Sequence, residues 1–254
     1  MRPSLGLELA EAVAPLAVRR VVVGINWTMV EAESGAGLAQ SPARDAPSCR
    51  PLERAGTYAD WPLDRLARLV AADNPFERAI GAAAINAFHN RPDVTGRSGN
   101  GLDGFSATDG PVVVIGRFPG LEERLPGALV IERRPRPGDY PESAAAYLLP
   151  SAAIVVITAA TLANGSLDRL VGLAGGARKV LVGPGTPLAP ALLDAGLERL
   201  SGLIIEDAAA AARVVAEAGA VRALKRCGRY VTLDRVPPDR RAPAGAAINA
   251  SACR

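Results

Sequence analysis

Hydrophobic and polar positions divide the chain into two regimes that meet near residue 110. In the first, Arg20–Val30 (RVVVGINWTMV) is a run of β-branched and aromatic residues, which predicts a strand. Glu31–Gly35 then predicts a turn, with Gly37–Gln40 pairing back as a hairpin. Asp60 can cap a helix with Pro62 in its first turn, which places Leu63, Leu66, Leu69 and Val70 on one face. Asn74-Pro75 opens a second helix with the interior AIGAAAINAF. So many small side chains in one helix imply the close approach of another backbone or of a ligand. Arg91–Gly110 is Gly-rich and has no apolar period, the signature of a linker or mobile loop.

From Pro111 the pattern becomes an alternation. Strands are predicted at Val112–Gly116, Ala128–Glu132, Ile154–Thr158, Val180–Gly183 and Leu203–Glu206. Helices are predicted at Leu121–Leu125, Glu142–Leu149, Leu167–Leu173, Ala189–Ala195 and Asp207–Ala218. Short β-branched strands separated by helices indicate a parallel sheet covered on both faces. The fold class is therefore α/β: a small α+β unit over 1–108, then a Rossmann-like, doubly wound sheet over 109–235. The Pro/Arg/Ala-rich stretch 236–254 reads as a disordered tail.

In an open parallel sheet, ligands bind outside the carboxyl ends of the strands. Those ends carry Gly116-Arg117-Phe118-Pro119-Gly120, Glu132-Arg133, Thr158 with Thr161, Gly183-Pro184-Gly185-Thr186-Pro187, and Glu206-Asp207. Gly116-x-x-x-Gly120 is not the dinucleotide fingerprint, and it serves equally as an ordinary strand-to-helix turn. Glu132 stands where a nucleotide-binding acid would meet a ribose, or it is a solvated carboxylate beside an arginine. Asn164-Gly165 reads as a turn and Ser166 as a helix cap. Two Gly and two Pro in Gly183–Pro187 fix an unusual path that would present Thr186 at the crevice. His89 lies near a helix end, as a surface or capping residue does.

These residues resemble a known family. Leu181-Val-Gly-Pro-Gly-Thr-Pro-Leu188, Ile157-Thr-Ala-Ala-Thr-Leu-Ala-Asn-Gly-Ser-Leu167 and Val114-Ile-Gly-Arg-Phe-Pro119 are similar to motifs of the heavy-metal chelation family. Val22-Val-Gly-Ile-Asn-Trp-Thr28 and Ala79-Ile-Gly-Ala-Ala-Ala-Ile-Asn-Ala87 resemble its first domain. The likeness runs from about Val18 to Gly228. It implies an enolase-N-terminal-like domain followed by a Rossmann-like domain, with a ligand cleft between them. The cleft would draw on Trp27 and Asn86 from the first domain. The second would supply Gly116, Arg117, Phe118, Glu132, Thr158, Asn164, Gly165, Gly183, Pro184, Thr186 and Pro187. The family pattern has Ser at Gly185, Asp at Ala153 and Thr at Ser166, so this chain departs from it at three positions.

Composition then narrows the chemistry. One His and three scattered Cys (Cys49, Cys227, Cys253) give neither a paired zinc-ligand spacing nor a disulfide framework. Heavy metals prefer thiolate and imidazole, whereas the expected rim (Glu132, Asn86, Asn164, Thr158, Thr186) offers oxygen. The partner implied is thus a small molecule or a metal chelate, with a metal ion or its complex as the cofactor class left open. The alternatives are a small-metabolite enzyme with a nucleotide-like cofactor in the crevice, and an interaction module with a vestigial cleft.

Of 29 basic residues only Lys179 and Lys225 are lysines, and the net charge is +3. That excess of Arg is what a GC-rich coding sequence gives. The arginines are dispersed and aromatics are few, so no nucleic-acid platform is expected. The uncharged stretch Ser143–Leu167 has the length of a membrane span, but Pro150 splits it into helix, turn and buried strand. A cytoplasmic chain without a membrane segment is expected, and Ala-rich helices are compatible with a homo-oligomer.

Overall fold

The structure is a computed structural model describing residues 4–42, 50–99, 101–105 and 110–235. The stretch 236–254 therefore lies outside the described residues. Helix α1 (Leu5–Glu11) leads into an antiparallel sheet of β1 (Val18–Val23), β2 (Trp27–Ala32) and β3 (Gly35–Gln40), in that order. Arg20–Val30 is thus two strands rather than one. The chain reverses where the Gly24 amide donates to the Trp27 carbonyl at 2.9 Å, and Ile25 at the tip is 62% exposed. A turn at Ile25-Asn26 is hard to read because its neighbours are all strand formers.

Helix α2 (Leu63–Ala67) begins after Pro62, with Asp60 in a separate 3-10 turn, so Asp60 is not its cap. A 3-10 turn over Arg68–Ala71 continues it. Leu63, Leu66 and Val70 are buried as the pattern required. Helix α3 (Pro75–His89) opens at Asn74, whose side chain accepts from the Phe76 amide at 2.9 Å. The small residues of α3 meet backbone. A Cβ on Gly81 would stand 2.1 Å from the Val70 nitrogen, and one on Gly37 of β3 would stand 2.1 Å from the Ala87 nitrogen.

The larger sheet comprises β4 (Val112–Ile115), β5 (Leu129–Glu132), β6 (Tyr140–Pro141), β7 (Ile154–Thr158), β8 (Arg178–Val182), β9 (Arg199–Ile205) and β10 (Gly228–Asp234). Their order is β10-β9-β8-β7-β4-β5-β6. All pairings are parallel except β9 with β10. The connecting helices are α4 (Leu121–Arg124), α5 (Ala145–Leu148), α6 (Ala160–Asn164), α7 (Leu167–Leu173), α8 (Pro190–Asp194), α9 (Ala208–Ala216) and α10 (Val221–Leu224). Strand β9 starts four residues before the expected Leu203. The expected helix Glu142–Leu149 is a short α5 between 3-10 turns.

Alternation along the strands divides the core. Val113, Ile115, Val155, Ile157 and Leu181 face a cluster containing Leu9, Leu66, Ile80 and Ile85, so the N-terminal helices pack directly on this sheet. Val112, Val114, Ile154, Val156 and Val180 face the other way, onto Leu121, Leu125, Leu102 and Phe105. Within the described part of 91–110, Leu102 and Phe105 are thus anchored in the core, while 91–99 stay largely exposed. Arg97 also forms a two-way backbone bridge with Thr232.

Candidate functional site

Successive strands run outward from β4 through β5 to β6, and from β7 through β8 to β9. The winding direction changes between β4 and β7, where the carboxyl ends of a doubly wound sheet leave a crevice. Gly116 follows β4 with φ +87°, and a Cβ there would stand 2.8 Å from Cγ2 of Thr158 at the end of β7. Only glycine lets the two strand ends lie this close.

Beside this point the β8 loop turns over. The Thr186 amide donates to the Gly183 carbonyl at 3.0 Å, and Gly183 has φ +136°. Two asparagines one turn apart, at the end of α3, hold the loop. Asn86 Nδ2 donates to the carbonyls of Leu38 (2.8 Å) and Gly185 (2.9 Å). Asn90 Nδ2 donates to those of Thr186 (2.9 Å) and Leu203 (3.3 Å), while its Oδ1 accepts from the Leu188 amide at 2.9 Å. A Cβ on Gly185 would come within 2.9 Å of the Leu38 carbonyl oxygen. The loop therefore lies directly on β3.

Trp27, Thr158, Gly183 and Pro184 gather around one cavity of about 20 Å³, together with Gln40, Ala159, Ala160 and Gly185. The other expected residues stand elsewhere. Asn86 and Thr186 are both fully buried, and Pro187 is buried beside them. Thr186 is thus turned inward instead of being presented at the crevice, because Asn90 binds its carbonyl. Asn86 Oδ1 and Thr186 Oγ1 both lack hydrogen-bond partners among the described residues. Phe118 packs against the cluster under β4. Asn164 and Gly165 close α6 at its far end. Gly165 takes φ +77°, and Asn164 Oδ1 accepts from the Ser166 amide and hydroxyl. Ser166 makes no side-chain cap to α7.

Glu132 ends β5, and its carboxylate accepts from the backbone amides of Arg117 (2.7 Å) and Arg133 (3.1 Å). The Arg117 guanidinium pairs with Glu122 and Asp139. The hydrogen bond from Arg117, joined by one from the Arg136 amide, holds the Asp139 carboxyl below the usual carboxylate range. The same bond raises Arg117 further above its ordinary value. These groups form a charged bracket fixing the loops after β4 and β5.

Asn90 and Gln40 were not singled out from the sequence. Asn90 had a signal: it lies four residues after Asn86, on the same helix face. Gln40 had only its place at a strand end. Among the described residues, no three His, Cys, Asp or Glu side chains converge as a metal site would require. No described helix is long and apolar enough to cross a membrane.

Comparison with known proteins places these features in a group. Residues 105–234 match the DUF364 family model and residues 7–89 match DUF4213, both described as "Putative heavy-metal chelation". A crystal structure from Desulfitobacterium hafniense, of a DUF364 protein of unknown function, is similar at 30% identity. It superposes with a TM-score of 0.77, covering 91% of this chain and 97% of that one. A second DUF364 structure, from Pyrococcus horikoshii, shares the fold at 19% identity, with a TM-score of 0.74 and coverage of 90% and 97%. No curated protein matches.

Proposed function

The chain belongs to the DUF364 family, described as "Putative heavy-metal chelation", and from that membership we propose that it handles a heavy metal as a preformed chelate. The ligand is recognised where Trp27 and Gln40 of the antiparallel sheet face Thr158 and the Gly183–Gly185 loop. What supports this reading is the chemistry of the lining. Its side-chain polar groups are an indole N–H, an amide and a hydroxyl, all neutral.

A bare heavy-metal ion needs thiolate or imidazole at hand. His89 lies at the end of α3 with its Nε2 3.5 Å from the Leu9 carbonyl oxygen. Cys227 is buried in a separate apolar cluster with Leu203, Ala211 and Val215. Neutral hydrogen-bonding groups beside an aromatic wall instead suit an organic chelator that already satisfies its metal. The cavity has room for about one water molecule. An entering chelate must therefore part the β8 loop from β3, loosening the Asn86–Gly185 bond.

Tryptophan emission tests the reading, since the chain has two tryptophans. Trp61 stacks under the Arg65 guanidinium, 3.7 Å from its ring centroid, away from the cavity. A paramagnetic Cu(II)–citrate or Cu(II)–histidine complex should quench the wild type and Trp61→Phe saturably, and leave Trp27→Phe unaffected. Equal quenching in Trp27→Phe would contradict the assignment.

A further inference from the structure

The two asparagines at the end of α3 use their carboxamides differently. Asn90 engages both ends, Nδ2 with the Thr186 and Leu203 carbonyls and Oδ1 with the Leu188 amide. Asn86 engages only one. Its Nδ2 donates to the carbonyls of Leu38 and Gly185, which fixes the other atom of the amide as oxygen. That Oδ1 has no partner among the described residues, although Asn86 is 0% exposed. Thr186 is also 0% exposed, and its amide and carbonyl are bound while its Oγ1 is not. Proteins seldom leave buried polar groups unpaired, and a pair left so on one loop contact calls for a functional reason. Gly185 connects this pair to the Trp27 cavity: it lines that cavity, and its carbonyl is the one that Asn86 holds.

Building on the chelate reading above, we propose that the chelator is an aminocarboxylate that keeps an N–H on its metal-bound nitrogen. Parting the β8 loop from β3 releases the Gly185 carbonyl, so one Asn86 N–H comes free beside an Oδ1 that had no partner. The other N–H stays on the Leu38 carbonyl and holds the side chain in place. The opened carboxamide then offers a donor and an acceptor together. Coordination to a metal polarises an amine N–H, which donates to Asn86 Oδ1, while a carboxylate oxygen of the same chelator accepts from Nδ2. The Thr186 hydroxyl, next to Gly185 on the moving loop, supplies a further donor to that carboxylate. A tertiary amine has no hydrogen to give and leaves Oδ1 unpaired. Nitrogen is also the ligand that copper and nickel prefer over a hydroxyl oxygen.

The Cu(II) complexes of glycine, N-methylglycine and N,N-dimethylglycine test the proposal, because all are neutral and only the last lacks an N–H. Quenching of Trp27 emission in the full-length Trp61→Phe protein reads their binding. The glycine and N-methylglycine complexes should bind comparably. The dimethylglycine complex should bind about five- to tenfold more weakly, the scale of one hydrogen bond. Thr186→Val, added to the same protein, should weaken the glycine complex about fivefold without lowering Tm, since the hydroxyl it removes has no partner in the closed loop, and Thr186→Ser should restore binding. The proposal fails if the dimethylglycine complex binds as tightly as the glycine complex, if the first methyl already causes the loss, or if Thr186→Val binds like its parent. Quenching by Cu(II)–citrate with none of the three binding overturns this proposal and leaves the chelate reading standing. No quenching by any complex overturns both.

Discussion

Asn90 joins three segments through one amide: the β8 loop at Thr186 and Leu188, β9 at Leu203, and its own helix. Replacing it with Ala orphans two carbonyls and one N–H in a dry interior. Each such group costs about 1–3 kcal/mol, so a total loss of about 3 kcal/mol or more is expected by urea denaturation. A loss under about 0.5 kcal/mol would mean that the clamp is replaceable. His89 gives a pH signature at the same scale. Burial, opposed in part by its hydrogen bond to the Leu9 carbonyl, lowers its pKa from the ordinary 6.5. The folded protein then binds the proton less readily than the unfolded chain. The associated stability is present above about pH 6.5 and is lost as pH falls toward the depressed folded value. As His89 is the only histidine, melting curves between pH 7.5 and about 5.5 should fall less steeply for His89→Gln than for wild type. The sequence made the Gly and Pro of Gly183–Pro187 conspicuous, but not the inward direction of Thr186. That direction depends on Asn90, far away in the chain.

At the scale of elements, the contact of α3 with β3 carries the N-terminal half. Ala83 and Ala87 admit the β3 backbone at Gly37, where a Cβ would be 2.2 Å from the Ala83 oxygen. Gly37→Ala is therefore expected to cost about 3 kcal/mol or more, because neither backbone can yield. Calorimetry checks this, and a variant melting like wild type would contradict the packing. The same crowding bears on Gly185. A Cβ there would stand 2.9 Å from the Leu38 carbonyl oxygen, so a serine at this position is expected to push the loop off β3. The parallel strands were legible because they are buried on both faces and read as continuous β-branched runs. Strand β10 was missed although Tyr230–Leu233 is apolar and β-branched, since it follows the last expected helix and pairs antiparallel at the edge. Strand β6, two residues long, has no pattern to read.

Across the whole molecule, the N-terminal helices and one face of the large sheet share a core, so the expected cleft survives only as a narrow seam. Its walls come from both parts: Trp27 and Gln40 from one, Thr158 and Gly183–Gly185 from the other. The resemblance could name Trp27, Thr158, Gly183 and Pro184 because each lies in a local motif, whereas Gln40 lies outside those motifs. The resemblance could not separate the seam from the far end of α6, where Asn164 and Gly165 stand. Calorimetric titration with Zn, Ni, Co and Cu, each as the bare ion and as its preformed citrate or histidine complex, tests the central claim most directly. The bare ions should give flat traces and at least one complex a saturable one-site isotherm, weakened in Trp27→Ala. Stoichiometric binding of a bare ion, reversed by adding chelator, would contradict it.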